Sequence, residues 1–383
     1  MILQLAAAAA LAIWLYLVFA RGRFWLEFLH HSPAPGPLIR PPSIVAVIPA
    51  RNEAPVVAQA IRSLCAQKYP GDFHIVLVDD GSDDGTAEAA RAAAPEDLLA
   101  VISAQPPPAG WTGKMWAVAE GVRRSASLAP DLILLTDADI VHGPGTLEQL
   151  AARAESGYGL ASYMATLECR TVAEQLLIPA FVYFFFMLYP PAWVANPSRR
   201  TAGAAGGCML IRRALLEKIG GIAAIRGELI DDCALAREAK RHGARIWLSL
   251  SHQTRSIRPY QSFGEIGSMI SRTAFTQLHH SALLLIATLL GMVLTYFVPV
   301  AASLSTNVQT AGLGSLASLL MAASYFPALR FYRRSILWSV VWAPFLPLVA
   351  MFYLGATVRS ALAYWCGSGG LWKGRIQDAA PRP

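Results

Sequence analysis

Between Ser281 and Leu329 the chain runs for 49 residues without one Asp, Glu, Lys or Arg. Such a stretch is poorly suited to a water-facing surface, and it is too long for a single bilayer-spanning helix of about 20 residues. Two membrane helices fit it, with the turn expected near Ser303–Gly314, where Ser, Thr, Asn and Gly collect. Arg330, Arg333 and Arg334 follow directly, and basic residues beside a span mark its cytoplasmic end. Met1–Ala20 is also uncharged and is followed at once by Arg21 and Arg23. That predicts an N-terminal anchor over 1–21 with its inner end at the basic pair. A cleaved signal peptide ending near Val18 and Ala20 is the rival, but no basic residue precedes the apolar run and the basic pair lies on the wrong side for it. A third uncharged run, Ser335–Val358, carries Pro344 and Pro347 and is open to two readings, a span or a kinked, re-entrant element. A crossing would put Lys373, Arg375 and Arg382 outside, against the positive-inside tendency. The C-terminal membrane region is therefore set at 281–358, two to three helices, with a tail over 359–383.

Charge is concentrated between these ends. Of the 25 Asp and Glu residues, 23 lie from Glu53 to Glu265, which predicts a water-facing domain between apolar flanks. The chain is 55% hydrophobic and 15% charged, against about 25% charged in ordinary domains; that balance argues against both wholesale disorder and a fully soluble enzyme. The net charge of +7 comes from basic residues that form no long run. Beside apolar segments they read as membrane topology, and no nucleic-acid partner is expected. Cys65, Cys169, Cys208, Cys233 and Cys366 include no Cys-x-x-Cys pair, so reduced thiols in a cytoplasmic setting are expected, with Cys208 and Cys233 as packing residues. Gln175–Ser198 is itself uncharged and holds Pro179, Pro190, Pro191 and Pro197 among aromatics. It reads as an element lying in the membrane interface, because a crossing would separate the halves of the acidic domain; a buried core hairpin is the other reading.

Within the acidic domain, short β-branched runs alternate with helical spacing. Ile44–Ile48, His74–Asp79, Leu98–Ile102 and Leu132–Thr136 read as strands, with helices such as Val56–Ala66 between them. Strands separated by helices imply a parallel sheet covered on both faces, and ligands bind beyond the carboxyl ends of its strands. The polar signals fall at those ends: Pro49-Ala50-Arg51-Asn52-Glu53, Asp79-Asp80-Gly81-Ser82-Asp83-Asp84-Gly85-Thr86, and Asp137-Ala138-Asp139. Downstream, Glu228-Leu229-Ile230-Asp231-Asp232 leads into helical spacing at Cys233–Arg237. Each signal alone is weak. An Asp-Gly-Ser turn is common loop chemistry, Asp232 could simply cap a helix, and Asp-x-Asp arises by chance. Their order and common placement carry the weight.

In that order, with Gly113-Lys114 between them, the motifs over Ser43–Arg272 resemble the family 2 glycosyltransferases of GT-A fold, inverting enzymes that use nucleotide-diphosphate sugars. The flanking spans and the wording GWTGKMWAV, TDADI and SRTAFTQL look like the hopanoid-biosynthesis-associated membrane glycosyltransferases. The resemblance implies an α/β, mainly parallel GT-A domain over 43–275 between N- and C-terminal membrane helices. It places Pro49, Glu53, Asp79 and Asp80 around the nucleobase and ribose of a UDP-sugar, Asp137 near the ribose and Lys114 near the phosphates. Asp139 is the implied ligand for Mg²⁺ or Mn²⁺. Asp232 corresponds to the general base, and Asp231 stands where the family more often has Glu. Gly206 and Gly207 match the small-residue strand on the acceptor side, though a tight structural turn explains them nearly as well.

One departure is plain. Where many membrane-bound members carry Gln-x-x-Arg-Trp, this chain has Met269-Ile270-Ser271-Arg272-Thr273. Arg272 keeps a diphosphate-binding role, while the missing Gln and Trp argue against a processive polymer synthase. His252 and Arg255 are further candidates for the phosphate site, His252 with a structural role as the alternative. The functional expectation is transfer of a single sugar to a membrane lipid, with a hopanoid as the acceptor class, from the cytoplasmic face of a bacterial-type inner membrane. Transfer to a polyprenyl phosphate is the second reading. A transporter with a nucleotide-binding domain is the third, weakened by C-terminal spans that hold no charged residue from which to build a polar path.

Overall fold

The four β-branched runs become parallel neighbours. In the computed structural model, which describes residues 1–29, 36–333 and 335–370, they are β1 (Ile44–Ala50), β2 (Phe73–Asp79), β3 (Leu99–Ser103) and β4 (Leu132–Thr136). Four further strands complete the sheet: β5 (Ile140–His142), β6 (Leu160–Thr166), β7 (Cys208–Arg212) and β8 (Ile246–Ser256). The strand order is β3-β2-β1-β4-β7-β6-β8-β5. Pairs β1–β2, β2–β3, β1–β4 and β6–β8 are parallel, while β4–β7, β6–β7 and β5–β8 are antiparallel. The central strands β1, β2 and β4 are almost continuously buried, as strands covered on both faces must be.

Register gathers the motifs. Ala50 lies opposite Asp79 and Asp79 opposite Ser103, so the carboxyl ends of β1, β2 and β3 share one edge. Because β7 runs antiparallel to β4, its first residue, Cys208, pairs with Thr136 at the end of β4. The Gly206-Gly207 turn therefore arrives beside Asp137. Helix Gly113–Ser125 lies on β1 and β2, and Gly121 makes that approach possible. A Cβ built there would stand 2.4 Å from Val47 Cγ1 and 2.9 Å from Val78 Cγ2.

The chain divides into two units. The sheet unit comprises His31–Glu168 and Trp193–Arg258, and the helical unit Met1–His30, Cys169–Ala192 and Pro259–Pro383. Among the described residues, five helices are long and apolar enough to cross a membrane: Ile2–Ala20, Val172–Ala195, Ala282–Ser303, Val308–Tyr332 and Ile336–Trp365. Many of their apolar side chains face outward, among them Leu5, Leu283, Leu290, Leu319 and Leu337, a surface suited to lipid. Arg334, Lys373, Arg375 and Arg382 of the topological argument lie outside the described residues.

Two segments differ in detail from the reading of the sequence. The chain turns at Leu304–Asn307, between helices Val298–Ser303 and Val308–Arg333, and Gly314 is helical. A Cβ at Gly314 would stand 2.5 Å from Ser303 N, so this glycine serves close helix packing instead of the turn. The uncharged run from Gln175 lies within a helix that begins earlier, Val172–Leu188, fixed by a capping box of Thr171 and Glu174. Pro179 is accommodated within it. At the proline pair Pro344 and Pro347 the helical geometry changes: helix Ile336–Trp342 passes through a 3₁₀ turn at Ala343–Phe345 into helix Leu346–Trp365.

Candidate active site

At the sheet edge two loops lock together before any ligand is considered. Asn52 adopts φ 51°, a left-handed conformation that asparagine tolerates, which turns the chain from β1 into helix Ala54–Cys65. Its backbone N–H donates to Ser82 Oγ at 2.9 Å and its Oδ1 accepts from Asp83 N at 3.1 Å. Glu53 N donates to Thr86 Oγ1 at 2.8 Å, and Ala54 N to Asp84 Oδ2 at 3.0 Å. Burial would raise the Asp84 carboxyl, but hydrogen bonds from Thr86 and Ala54 outweigh it and lower its pKa. Asp79, buried, receives Ser82 N at 3.3 and 3.4 Å through its two oxygens. Buried Asp80 lies 3.9 Å from Arg51 Nη1. Much of the DDGSDDGT segment thus holds its own loop and the neighbouring one.

A second cluster forms around Lys114. Thr112 caps helix Gly113–Ser125, which fixes Lys114 in its first turn. The Lys114 Nζ stands 3.0 Å from Asp137 Oδ1 and 3.2 Å from Asp231 Oδ2. Burial works against its charge, yet Asp137 and then Asp231 outweigh that and raise its pKa. Asp231 and Asp232 open helix Asp231–Arg241. Asp232 Oδ2 accepts Gly206 N at 2.9 Å and Oδ1 accepts Cys233 N at 2.7 Å. Burial first, and the adjacent Asp231 charge second, push the Asp232 carboxyl up to about 6. Gly206 and Gly207 divide their work: Gly206 supplies the N–H to Asp232, while Gly207 packs against Ile140, whose Cδ1 would stand 3.0 Å from a built Cβ. Pro49, Lys114, Asp137, Gly206 and Asp231 border a pocket of only about 10 Å³, the space of about one water. It is a joint between these groups, too small for a sugar.

A third cluster centres on a residue that the motifs did not mark. Arg258 Nη2 reaches both oxygens of Glu53, at 2.5 and 2.6 Å, and its Nε donates to Asp139 Oδ2 at 2.7 Å. Burial opposes the guanidinium charge, but Asp139 and Glu53 outweigh it and raise the pKa. Arg258 follows β8, whose Ser256 pairs with Ile140 of β5, and Ile257 N donates to Asp139 O at 2.9 Å. The strand pairing delivers Arg258 to this edge. His252 and Arg255, which the sequence proposed for the phosphate site, are exposed positions of β8. Arg272 follows helix Phe263–Ser271 in the helical unit.

Among the described residues no group of three or more His, Cys, Asp or Glu is arranged to hold a metal ion. Asp139 offers one partly buried carboxylate, and its Oδ1 has no hydrogen-bond partner among the described residues. Such a donor set does not fit a resident cation caged by protein. It fits a hard cation that brings most of its oxygen ligands with it, as Mg²⁺ does on a diphosphate.

Comparison with known proteins agrees with this architecture. The chain is 26% identical over 205 residues to the probable glycosyltransferase YdaM of Bacillus subtilis, covering 52% of this chain and 45% of that protein. It is 33% identical over 117 residues to an undecaprenyl-phosphate 4-deoxy-4-formamido-L-arabinose transferase of Pseudomonas paraeruginosa, covering 30% of this chain and 33% of that one. The chain thus spans less than half the length of the curated relatives it matches. The solved mannosyltransferase PcManGT of Pyrobaculum calidifontis, in complex with GDP-Man and Mn²⁺, superposes with a TM-score of 0.55 at 18% identity, over 94% of this chain and 98% of that one. The fold is GT-A, as the motifs implied. Residues 41–276 match the model of the family described as glycosyltransferase like family 2, and with the strand-end carboxylates assembled on this sheet, the chain belongs to that family.

Proposed function

We propose that this protein is an inverting, membrane-bound glycosyltransferase that moves one sugar from a UDP-sugar to a hydroxyl of a membrane lipid, with a hopanoid as the acceptor class. One observation carries the reading: the Asp232 carboxylate, held by Gly206 N and Cys233 N and pushed up to about 6, suits a base that must accept a proton near neutral pH. Asp232 takes the proton of the acceptor hydroxyl as that oxygen bonds to the anomeric carbon. The bond from that carbon to the diphosphate oxygen breaks, and its electron pair leaves with the diphosphate. A single displacement of this kind inverts the anomeric centre. Asp231 keeps Lys114 against Asp137, which places a positive charge on the donor side. Pro49, Glu53, Asp79, Asp80 and Asp137 form the wall proposed for the nucleoside, with Arg272 proposed for the diphosphate. Asp139 would hold Mg²⁺ or Mn²⁺, which when bound offsets charge growing on the leaving diphosphate. The apolar helices Ile2–Ala20, Ala282–Ser303 and Val308–Tyr332 support a multi-pass membrane protein, and the proposal takes that membrane to be a bacterial inner membrane with the catalytic domain in the cytoplasm.

The undecaprenyl-phosphate transferase relative supports a second reading, in which the acceptor is a polyprenyl phosphate. A phosphate is already an anion and needs no base, and the Asp231–Asp232 pair would repel it. The hydroxyl acceptor is therefore preferred. Purified protein in vesicles, given a panel of UDP-sugars with either a hopanoid alcohol or undecaprenyl phosphate, distinguishes the two by lipid mass spectrometry. A glycosylated hopanoid is expected. A glycosyl phosphate lipid as the sole product would replace this reading with the second.

A further inference from the structure

Arg258 holds Asp139 by one edge of its guanidinium while another nitrogen grips both oxygens of Glu53. The two carboxylates come from the ends of different strands, and 119 and 205 residues separate them from the arginine. Asp139 is 13% exposed at its side chain and Glu53 10%, so neither charge is left to water. A divalent cation approaching Asp139 would meet a guanidinium nitrogen 2.7 Å from the carboxylate oxygen, and like charges at such separations repel strongly in a partly desolvated site. Binding then requires either that the cation arrive with enough negative charge of its own or that Arg258 let go.

We propose that Arg258 is an internal counter-ion that competes with the divalent metal for Asp139, so that the site takes up metal only together with a nucleotide diphosphate. This rests on the reading of Asp139 as the metal ligand. Glu53 is the arm that keeps Arg258 in place: its two contacts hold the guanidinium beside Asp139 whether or not metal is bound. The diphosphate supplies the negative charge that lets metal and arginine sit at one edge. Free Mg²⁺ or Mn²⁺ does not fill the site, and the order of assembly is set as donor and metal together. Arg258 is thus a positioning residue for the two carboxylates.

Electron paramagnetic resonance of Mn²⁺ titrated into the full-length protein in detergent, with and without UDP, reads this without any turnover. Wild-type protein should bind Mn²⁺ weakly alone and at least about tenfold more tightly with UDP. Arg258→Met, which removes the charge but keeps an unbranched side chain, should bind Mn²⁺ without UDP about tenfold more tightly than wild type. That gain should vanish in the Arg258→Met, Asp139→Asn double variant. Arg258→Gln, able to fill the space with a neutral hydrogen-bonding group, should behave as Arg258→Met does and stands in for it should Met prevent folding. Mn²⁺ affinity without UDP that stays at the wild-type level in the folded neutral variant overturns the competition. Absence of Mn²⁺ binding even with UDP in wild type overturns the metal reading of Asp139, and this inference with it.

Discussion

Asp232 is two residues' worth of electrostatics in one carboxylate. Its raised pKa comes from burial and from the charge of Asp231, opposed by Lys114 and by the N–H groups of Cys233 and Gly206. A base works only when deprotonated, so kcat/KM should climb with pH with unit slope below about 6 and level off above it. Asp231→Asn removes the like charge while burial remains, and the acid limb should move to lower pH. A limb that stays in place in that variant would detach Asp231 from the titration. Asp232→Asn keeps shape and most hydrogen bonding but cannot take the proton. Turnover should fall by about 10²–10⁴-fold with UDP affinity nearly unchanged, the range typical of a lost general base, as measured by kinetics beside nucleotide calorimetry. At this scale the motifs named Asp79, Asp80 and Asp137 at strand ends, and Lys114 and Asp231, which the structure brings against one another and Asp137. They said nothing of Arg258, because a lone arginine two residues beyond a strand has no local pattern to betray it.

Strand and helix ends decide where those residues point. Lys114 is delivered by helix Gly113–Ser125, which can lie on β1 and β2 only because position 121 lacks a side chain. Gly121→Ala puts a methyl into Val47 and Val78, both at the branched ends of stiff side chains. The helix must shift, costing about 1–3 kcal/mol of stability, the usual scale of overpacking a filled core. Thermal unfolding should show that loss, and the displaced Lys114 should lower kcat as well; an unchanged melting temperature would mean the helix has room to spare. Elements were read from the sequence to within a residue or two where β-branched runs met polar ends: β4 spans Leu132–Thr136 as expected. Prolines were a weaker guide. Pro344 and Pro347 interrupt their segment, yet Pro179 rides within helix Val172–Leu188, because neighbouring groups can make up for the hydrogen bond that proline removes.

On the scale of the whole molecule, the proposed orientation is a cytoplasmic catalytic domain, an expectation that rests on Arg21, Arg23 and Arg330 standing beside apolar segments. Glu96, exposed on the sheet unit, tests it. In a background without the exposed Cys366, Glu96→Cys should resist an impermeant thiol reagent in intact cells and react once the membrane is broken. Labelling of sealed cells would put the domain on the wrong side for its donor. The sequence by itself determined the apolar segments, the core strands and the gathering of carboxylates at their ends, since charge-free length and β-branched runs can be read along the chain, and helices between consecutive strands imply parallel neighbours. Only the tertiary structure decided that Gly206 offers its N–H to Asp232 and that Arg258 joins Glu53 to Asp139. Both contacts depend on antiparallel pairings, β4 with β7 and β5 with β8. Such pairings are fixed by the closure of the whole sheet, where burying both faces together selects one register among strands far apart in the chain.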